Sequence, residues 1–250
     1  MMVILVMKEL THELLGYKNI KIIQNEDMFS FSLDSMLLAD FVEPNYKTKK
    51  IIDLGCGNAP IPLFLTLKTD AHIVGVEIQE QVADMAKRSV QLNGLEHQIE
   101  IINADIKGIY RNNMANVFDI VISNPPYFKF LPSSNINKND YLTIARHEVK
   151  ITLEEIVNEA KKLLIDGGNF YMVHRVERLD EIIVLFLEYG FAIKEMRFIY
   201  TKKSSEDALL VLIKAKKNGK QSLKVLQPLY CYDEKGEYTE EVKRIFNFKK

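Results

Sequence analysis

The sequence predicts an α/β fold built on a mostly parallel sheet, and three observations carry that reading. From Ile51 onward, short β-branched runs alternate with longer stretches of helical spacing, the rhythm of βαβ units. Glycine-bearing stops, Asn93-Gly94 and Asp166-Gly167-Gly168, follow the two clearest helical stretches. The last two runs, Phe191 to Tyr200 and Ala208 to Ala215, are joined through Lys202-Lys203-Ser204-Ser205-Glu206-Asp207. That connection is too short for a helical crossover, so this pair should be antiparallel.

The elements follow in order. The opening Met1 to Met7 is apolar but too short to span a bilayer and lacks a small-residue cleavage site, so it reads as a first strand or a frayed start rather than a targeting signal. Phe29 to Ala39 carries Asp34-Ser35 ahead of an apolar helical run, for which a helix cap is a sufficient explanation. Strands are expected at Ile51 to Leu54, His72 to Glu77, Ile99 to Ile102, the run ending at Ser123, and Asn169 to Val173. Helices are expected over 81–92, on Val82, Met85, Ala86 and Val90, and over 153–165, on Ile156, Val157, Ala160, Leu163 and Leu164. Lys214 to Lys224 is the one compositional shift. It sets a boundary, giving an N-terminal extension over 1–45, a core over 46–216 and a basic C-terminal appendage over 217–250.

At 250 residues and 47% hydrophobic, the chain can bury a sizeable core. A formal net charge of -1 gives no nucleic-acid signal by itself, so such a partner must be argued from clusters of basic residues. The two cysteines, Cys56 and Cys231, belong to no metal-spaced set, which argues against a zinc site and a secreted disulfide scaffold and leaves the cytosol as the default compartment.

Asp53-Leu54-Gly55-Cys56-Gly57-Asn58-Ala59-Pro60 follows the first core strand. In an open parallel sheet, the loop after this strand borders the ligand crevice, and Gly55 and Gly57 let backbone approach a ligand closely. A dinucleotide fingerprint would place a third glycine where Pro60 stands. Pro60 and Pro62 suit a first helical turn but remove N–H donors that would hold a pyrophosphate. The expected ligand is therefore a nucleoside without phosphates. Glu77 ends the second core strand about 20 residues further on, where a carboxylate can accept both ribose hydroxyl protons. Asp105 follows the third strand, either as a helix cap or as an acceptor for an adenine amine with Ile106 packed on the ring. The fourth core strand ends on Asp119-Ile120-Val121-Ile122-Ser123-Asn124-Pro125-Pro126-Tyr127. Two prolines donate no backbone hydrogen bond, so the sheet ladder stops there in a stiff corner suited to presenting groups to a ligand.

Together these motifs resemble the class I S-adenosylmethionine-dependent methyltransferases that modify planar nitrogens. The resemblance spans about Ile51 to Ala215. It implies a Rossmann-like fold with a seven-stranded sheet, an antiparallel last strand and helices on both faces. It assigns Asp53, Gly55, Gly57, Glu77, Asp105, Ile106 and Asn124 to the cofactor, with Ala59 departing from the family's third glycine. It further implies that the Asn124 side-chain carbonyl and the Pro125 backbone carbonyl accept the protons of the target amine, that Pro126 stiffens the corner, and that Tyr127 stacks on the base. A narrower resemblance rests on "QNEDMFSFSLDSMLLA", "SNPPYF", "IARHE", "MVHRVERL" and "YDEKGEYTEEV". These stretches are similar to the bacterial methyltransferases acting on N6 of the adenine beside the anticodon of valine tRNA. In that family the segment before the core closes over the cofactor, which assigns Phe31 and Asp34 a lining role.

Basic residues gather on loops at the expected mouth and beyond: Lys129, Lys138, Arg146, His147 and Lys150 after the corner, Arg175 and Arg178 after the fifth strand, then Lys202, Lys203, Lys214, Lys216, Lys217, Lys220 and Lys224. Most surface lysines are simply solvated; grouped on one rim they would engage tRNA phosphates. Lys129, Arg146, His147, Arg175, Lys202 and Lys203 are the RNA-contact candidates. No metal, membrane or obligate protein partner is indicated.

Four rivals stand beside this reading, of which a nicotinamide dehydrogenase is disfavoured by Pro60. A methyltransferase acting on a release-factor glutamine amide would use the same corner, but such enzymes carry a helical domain ahead of the core, and the stretch before Ile51 is too short for one. A DNA adenine methyltransferase would need a target-recognition region that is not visible. A non-catalytic RNA-binding protein on the same fold would have no need of Glu77 or of Asn124 to Tyr127.

Overall fold

The computed structural model describes residues 9–25, 32–129 and 150–248; the Met1 to Met7 run lies outside them. The first described elements, β1 (Glu9–Leu14) and β2 (Tyr17–Asn25), form a separate antiparallel hairpin that the sequence pattern did not reveal. Then come α1 (Leu33–Phe41), β3 (Lys50–Leu54), α2 (Pro60–Leu65), β4 (His72–Glu77), α3 (Glu80–Leu92), β5 (Ile99–Asn103) and β6 (Phe118–Ser123). After residues 130–149 the chain continues with α4 (Leu153–Leu163), β7 (Leu164–Arg175), α5 (Leu179–Glu188), β8 (Phe191–Lys202) and β9 (Leu210–Lys217). β10 (Lys224–Val225), β11 (Leu229–Tyr232) and α6 (Glu240–Ile245) complete it.

The seven core strands lie in the order β5-β4-β3-β6-β7-β9-β8. β3 to β7 are mutually parallel, whereas β9 runs antiparallel to both β7 and β8. β10 and β11 each pair parallel to β8, so the C-terminal stretch widens the sheet beyond seven strands. Strand order reverses at β3 and β6, the place where an open parallel sheet leaves a crevice. Alternation along the strands sends side chains to two cores. Ile51, Ile73, Ile120 and Ile122 meet α1, α2 and α3 on one face, and Ile52, Val74, Val121 and Phe170 meet α4 and α5 on the other.

Thr152 and Glu155 form a capping box that starts α4, but the helix ends at Leu163 rather than running on to Ile165. Leu164 is extended and wholly buried, and it opens β7 opposite Phe118. Asp166-Gly167-Gly168 therefore makes a bulge inside β7, where the register jumps from Phe118 with Leu164 to Ile120 with Asn169.

Candidate active site

The carboxyl ends of β3, β4 and β6 open into a cleft lined by Gly55, Gly57, Pro60, Glu77, Ile78, Gln79, Ile106, Ser35 and Asn124 to Pro126, together with Lys150, Ile151 and Ile156. The cleft encloses about 880 Å³ of empty space, its open mouth included. The glycine loop is shaped by left-handed backbone at Gly55 (φ 79°), Gly57 (φ 56°) and Ala59 (φ 71°). A side chain built on Gly55 would meet nothing within 4 Å, so backbone there is open to close approach. Ala59 tolerates its conformation with its methyl buried, and Pro60 takes the first position of α2 as its missing N–H permits. Asn58 is fully buried beneath the loop and donates to the Ile23 carbonyl at 2.8 Å, fastening the loop to β2.

Glu77 binds the loop from the neighbouring strand. Its carboxylate accepts from Gly57 N at 3.1 Å and Gln79 N at 2.8 Å. Burial raises its pKa, and those same backbone donors pull it back. Asn103 Nδ2 donates to the Glu77 carbonyl at 2.9 Å and fixes the turn. Asp53 lies inward on β3, 0% exposed, with neither carboxylate oxygen hydrogen-bonded. Burial, with Glu77 adding its charge, pushes its pKa up to about 8.

At the corner, Asn124 Nδ2 donates to Ser35 Oγ at 3.0 Å, and its Oδ1 lies 2.8 Å from the Tyr127 hydroxyl, which also lies 2.8 Å from Asp34 Oδ2. Burial raises the pKa of both Asp34 and Tyr127. The Tyr127 ring leans on His174, with centroids 5.3 Å apart. His174 is wholly buried, and burial with the nearby Arg178 charge lowers its pKa to about 4, so it is neutral. The capping role expected of Asp34-Ser35 is corrected: Ser32 stands at the cap position, and both side chains face the corner from the first helical turn.

Of the sequence-predicted residues, Gly55, Gly57, Glu77, Ile106, Asn124, Pro125 and Pro126 come together around the cleft. Asp34 and Tyr127 stand behind Asn124. The Asp105 carboxylate accepts from Lys107 N at 2.9 Å in a local turn, and its side chain is 44% exposed. Lys129 pairs with Glu181 at 3.0 Å, and Arg175 with Glu177 at 2.7 Å. Lys202 ends β8, which points the same way as β3 but lies beyond β6, β7 and β9; Lys203 follows it. Phe31, Lys138, Arg146 and His147 lie outside the described residues. Sequence reasoning missed the roles of Ser35, Asn58 and Gln79, because a backbone donor and two small polar side chains carry no motif of their own. Among the described residues there is no cluster of three or more metal-ligating side chains, and no helix is long and apolar enough to cross a membrane.

These groups fit a nucleoside cofactor: an open glycine backbone, an acidic strand end at the loop, and an apolar shelf at Ile106 and Ile78. Comparison with known proteins agrees. The family described as "Methyltransferase small domain" matches residues 19–185. The tRNA1(Val) (adenine(37)-N6)-methyltransferase of Phocaeicola vulgatus is 24% identical over 79% of this chain and 81% of its own length. Its namesake from Tolumonas auensis is 25% identical over 80% and 82%. Among solved structures, a predicted O-methyltransferase from Agrobacterium tumefaciens superposes with a TM-score of 0.67 at 23% identity, covering 86% of this chain and 96% of that one. M. jannaschii TYW2 in complex with AdoMet superposes at 0.57 and 13% identity, over 84% and 86%.

Proposed function

The chain belongs to the methyltransferase small domain family, with S-adenosylmethionine as its methyl donor, and from that premise we propose that it methylates N6 of an adenine in tRNA. The narrower reading is adenine 37 of a valine tRNA, as the names of the relatives state for those proteins, and the compartment in this reading is the cytoplasm. The observation that carries the proposal is the corner of Asn124, Pro125 and Pro126, which borders the same cleft as the glycine loop and Glu77.

The cofactor supplies an electrophilic methyl group. The chain's task is to bring a poor nucleophile to it, because the N6 lone pair is delocalised into the adenine ring. Asn124 Oδ1 and the Pro125 carbonyl accept the amine hydrogens, drawing the lone pair out of conjugation, and two prolines keep the corner still, which lowers the cost of reaching the reactive pose. Neither acceptor is a strong base, and none is required, since the amine becomes acidic as it is alkylated. The base must leave its stack to enter the cleft, which an anticodon loop makes easy. The Tyr127 ring is the stacking surface in this reading, at about 1–3 kcal/mol per base.

The test is to incubate the protein with radiolabelled S-adenosylmethionine and tRNA lacking the modification, then digest and identify the labelled nucleoside. N6-methyladenosine in one tRNA species is the expected result. Label in a protein glutamine amide and none in RNA overturns it. Asn124→Ala should cut turnover by about 100-fold or more, the scale seen when one preorganised polar group is lost, with cofactor affinity retained.

A further inference from the structure

We infer that Asp34 and the Tyr127 hydroxyl are positioning residues that grip the Asn124 amide from behind and hold its carbonyl in one pose. The inference rests on the proposed role of Asn124 and gives Tyr127 a task separate from stacking.

Pro125 and Pro126 fix the backbone of the corner, but they do nothing for the last side-chain torsion of Asn124. That torsion is broad and nearly two-fold, so an unheld amide turns readily. The structure holds both of its ends from one place, the first turn of α1. Ser35 Oγ accepts from Nδ2 at 3.0 Å, and Asp34 reaches Oδ1 through Tyr127, whose hydroxyl lies 2.8 Å from each. Ser35 and Asn124 border the cleft, whereas the Asp34 carboxyl and the Tyr127 hydroxyl do not, so those two groups act on the cleft through Asn124.

The support behind them is stiff. Met36, Leu37, Leu38 and Ala39, next in α1, are at most 1% exposed. The Tyr127 ring packs on the wholly buried His174. A hydroxyl presented from so fixed a ring is a precise stop for its partner. The Asp34 carboxyl is mostly buried, which raises its pKa, and its hydrogen bond to Tyr127 opposes that rise. A mostly buried carboxyl that turns its hydrogen bond away from the cleft has a positioning use.

Tyr127→Phe separates the two roles, because Phe keeps a ring that stacks and loses the hydroxyl. The expected result is a fall in kcat of about 10- to 100-fold, the cost of a misplaced reacting group, with the KM for tRNA and the Kd for S-adenosylmethionine unchanged. Asp34→Ala should fall likewise, and Asp34→Asn should recover most of that loss, since an amide N–H donates to the hydroxyl oxygen and leaves the single hydroxyl hydrogen for Asn124 Oδ1. A Tyr127→Phe enzyme as fast as wild type overturns the inference while leaving the proposed reaction standing. A wild-type enzyme that modifies no adenine overturns the proposed reaction, and a second readout then decides the inference alone. The Asn124 side-chain N–H pair, assigned by NMR from its absence in Asn124→Ala, should exchange with solvent about tenfold faster in Tyr127→Phe and Asp34→Ala, as loss of one hydrogen bond implies. It should stay slow in Asp34→Asn. Unchanged exchange in Tyr127→Phe overturns the inference whatever the substrate.

Discussion

Replacing Asp53 by Asn removes the one carboxyl in the described fold that is wholly buried with both oxygens unpartnered. Its pKa rises from 3.8 to about 8, through burial and the charge of Glu77. Between those two values the folded chain keeps a proton that the unfolded chain has released. Stability therefore falls as pH rises across this window, by about 1.4 kcal/mol per pH unit for one proton. The contribution is complete below the unfolded value and gone once pH has risen through the folded one. From about pH 5 to about pH 7, the loss is about 3 kcal/mol.

Asn has no proton to lose, so this part of the slope vanishes while every other group titrates as before. The amide also brings two donors into a site without partners, at about 1–3 kcal/mol. The absolute stability of the variant is thus not diagnostic, and its change with pH is. Urea unfolding of both proteins across that range should show Asp53→Asn gaining about 3 kcal/mol on wild type as pH rises. Parallel curves would refute the reasoning, since they would mean that Asp53 is already ionised in the folded chain.

Two further substitutions probe the loop and the N-terminal hairpin. Glu77→Ala removes the acceptor for Gly57 N and Gln79 N. Hydrogen bonds to a charged group contribute about 1.5–3 kcal/mol each, so calorimetry should find S-adenosylmethionine bound at least tenfold more weakly, and kcat at saturating cofactor should change less than affinity. Gly16→Ala would put a Cβ 2.2 Å from the Asn247 carbonyl oxygen, a backbone atom that cannot turn aside. The hairpin turn is hooked to the C-terminal end of α6 by Gly16 N to Phe246 O at 2.9 Å and Tyr17 Oη to Ile245 O at 3.0 Å. This variant should lose about 1–3 kcal/mol, as overpacked sites do, and become more open to proteolysis between β1 and β2; unchanged melting and cleavage would count against the hook.

The core strands were legible because a strand buried on both faces must be apolar throughout. Ile51, Ile52, Ile120, Val121 and Ile122 say as much without context. β1 and β2 were not, because most of β1 is exposed and its register is fixed by partners distant in sequence: Arg88 forks onto Glu9 at 2.7 Å, and Asn93 brackets Lys21. The C-terminal strands β10 and β11 are 2 and 4 residues long, below what any periodicity can reveal. In the site, the motif residues that touch the cleft through backbone or a strand end were read directly. The contacts of Asp34 and Ser35 with the corner were not, since a polar pair before an apolar helix has a sufficient local explanation that says nothing of a corner some 90 residues away.

One register explains why the two halves of the site face each other. β3 and β6 are adjacent, and Leu54 pairs with Ser123. Each is the last residue of its strand, so the glycine loop and the Asn124 corner leave the sheet at the same level. The Ser123 hydroxyl donates to the Leu54 carbonyl at 2.9 Å and locks that level from a fully buried position. A slip of one residue would turn every side chain of β6 to the opposite core, setting Ile120 and Ile122 among the residues that now pack on Val121. The hydrophobic alternation that stabilises the sheet therefore also sets where the proline corner meets the glycine loop. The proline corner can be rigid for that reason: the sheet beneath it has already fixed the one coordinate that rigidity alone could not supply.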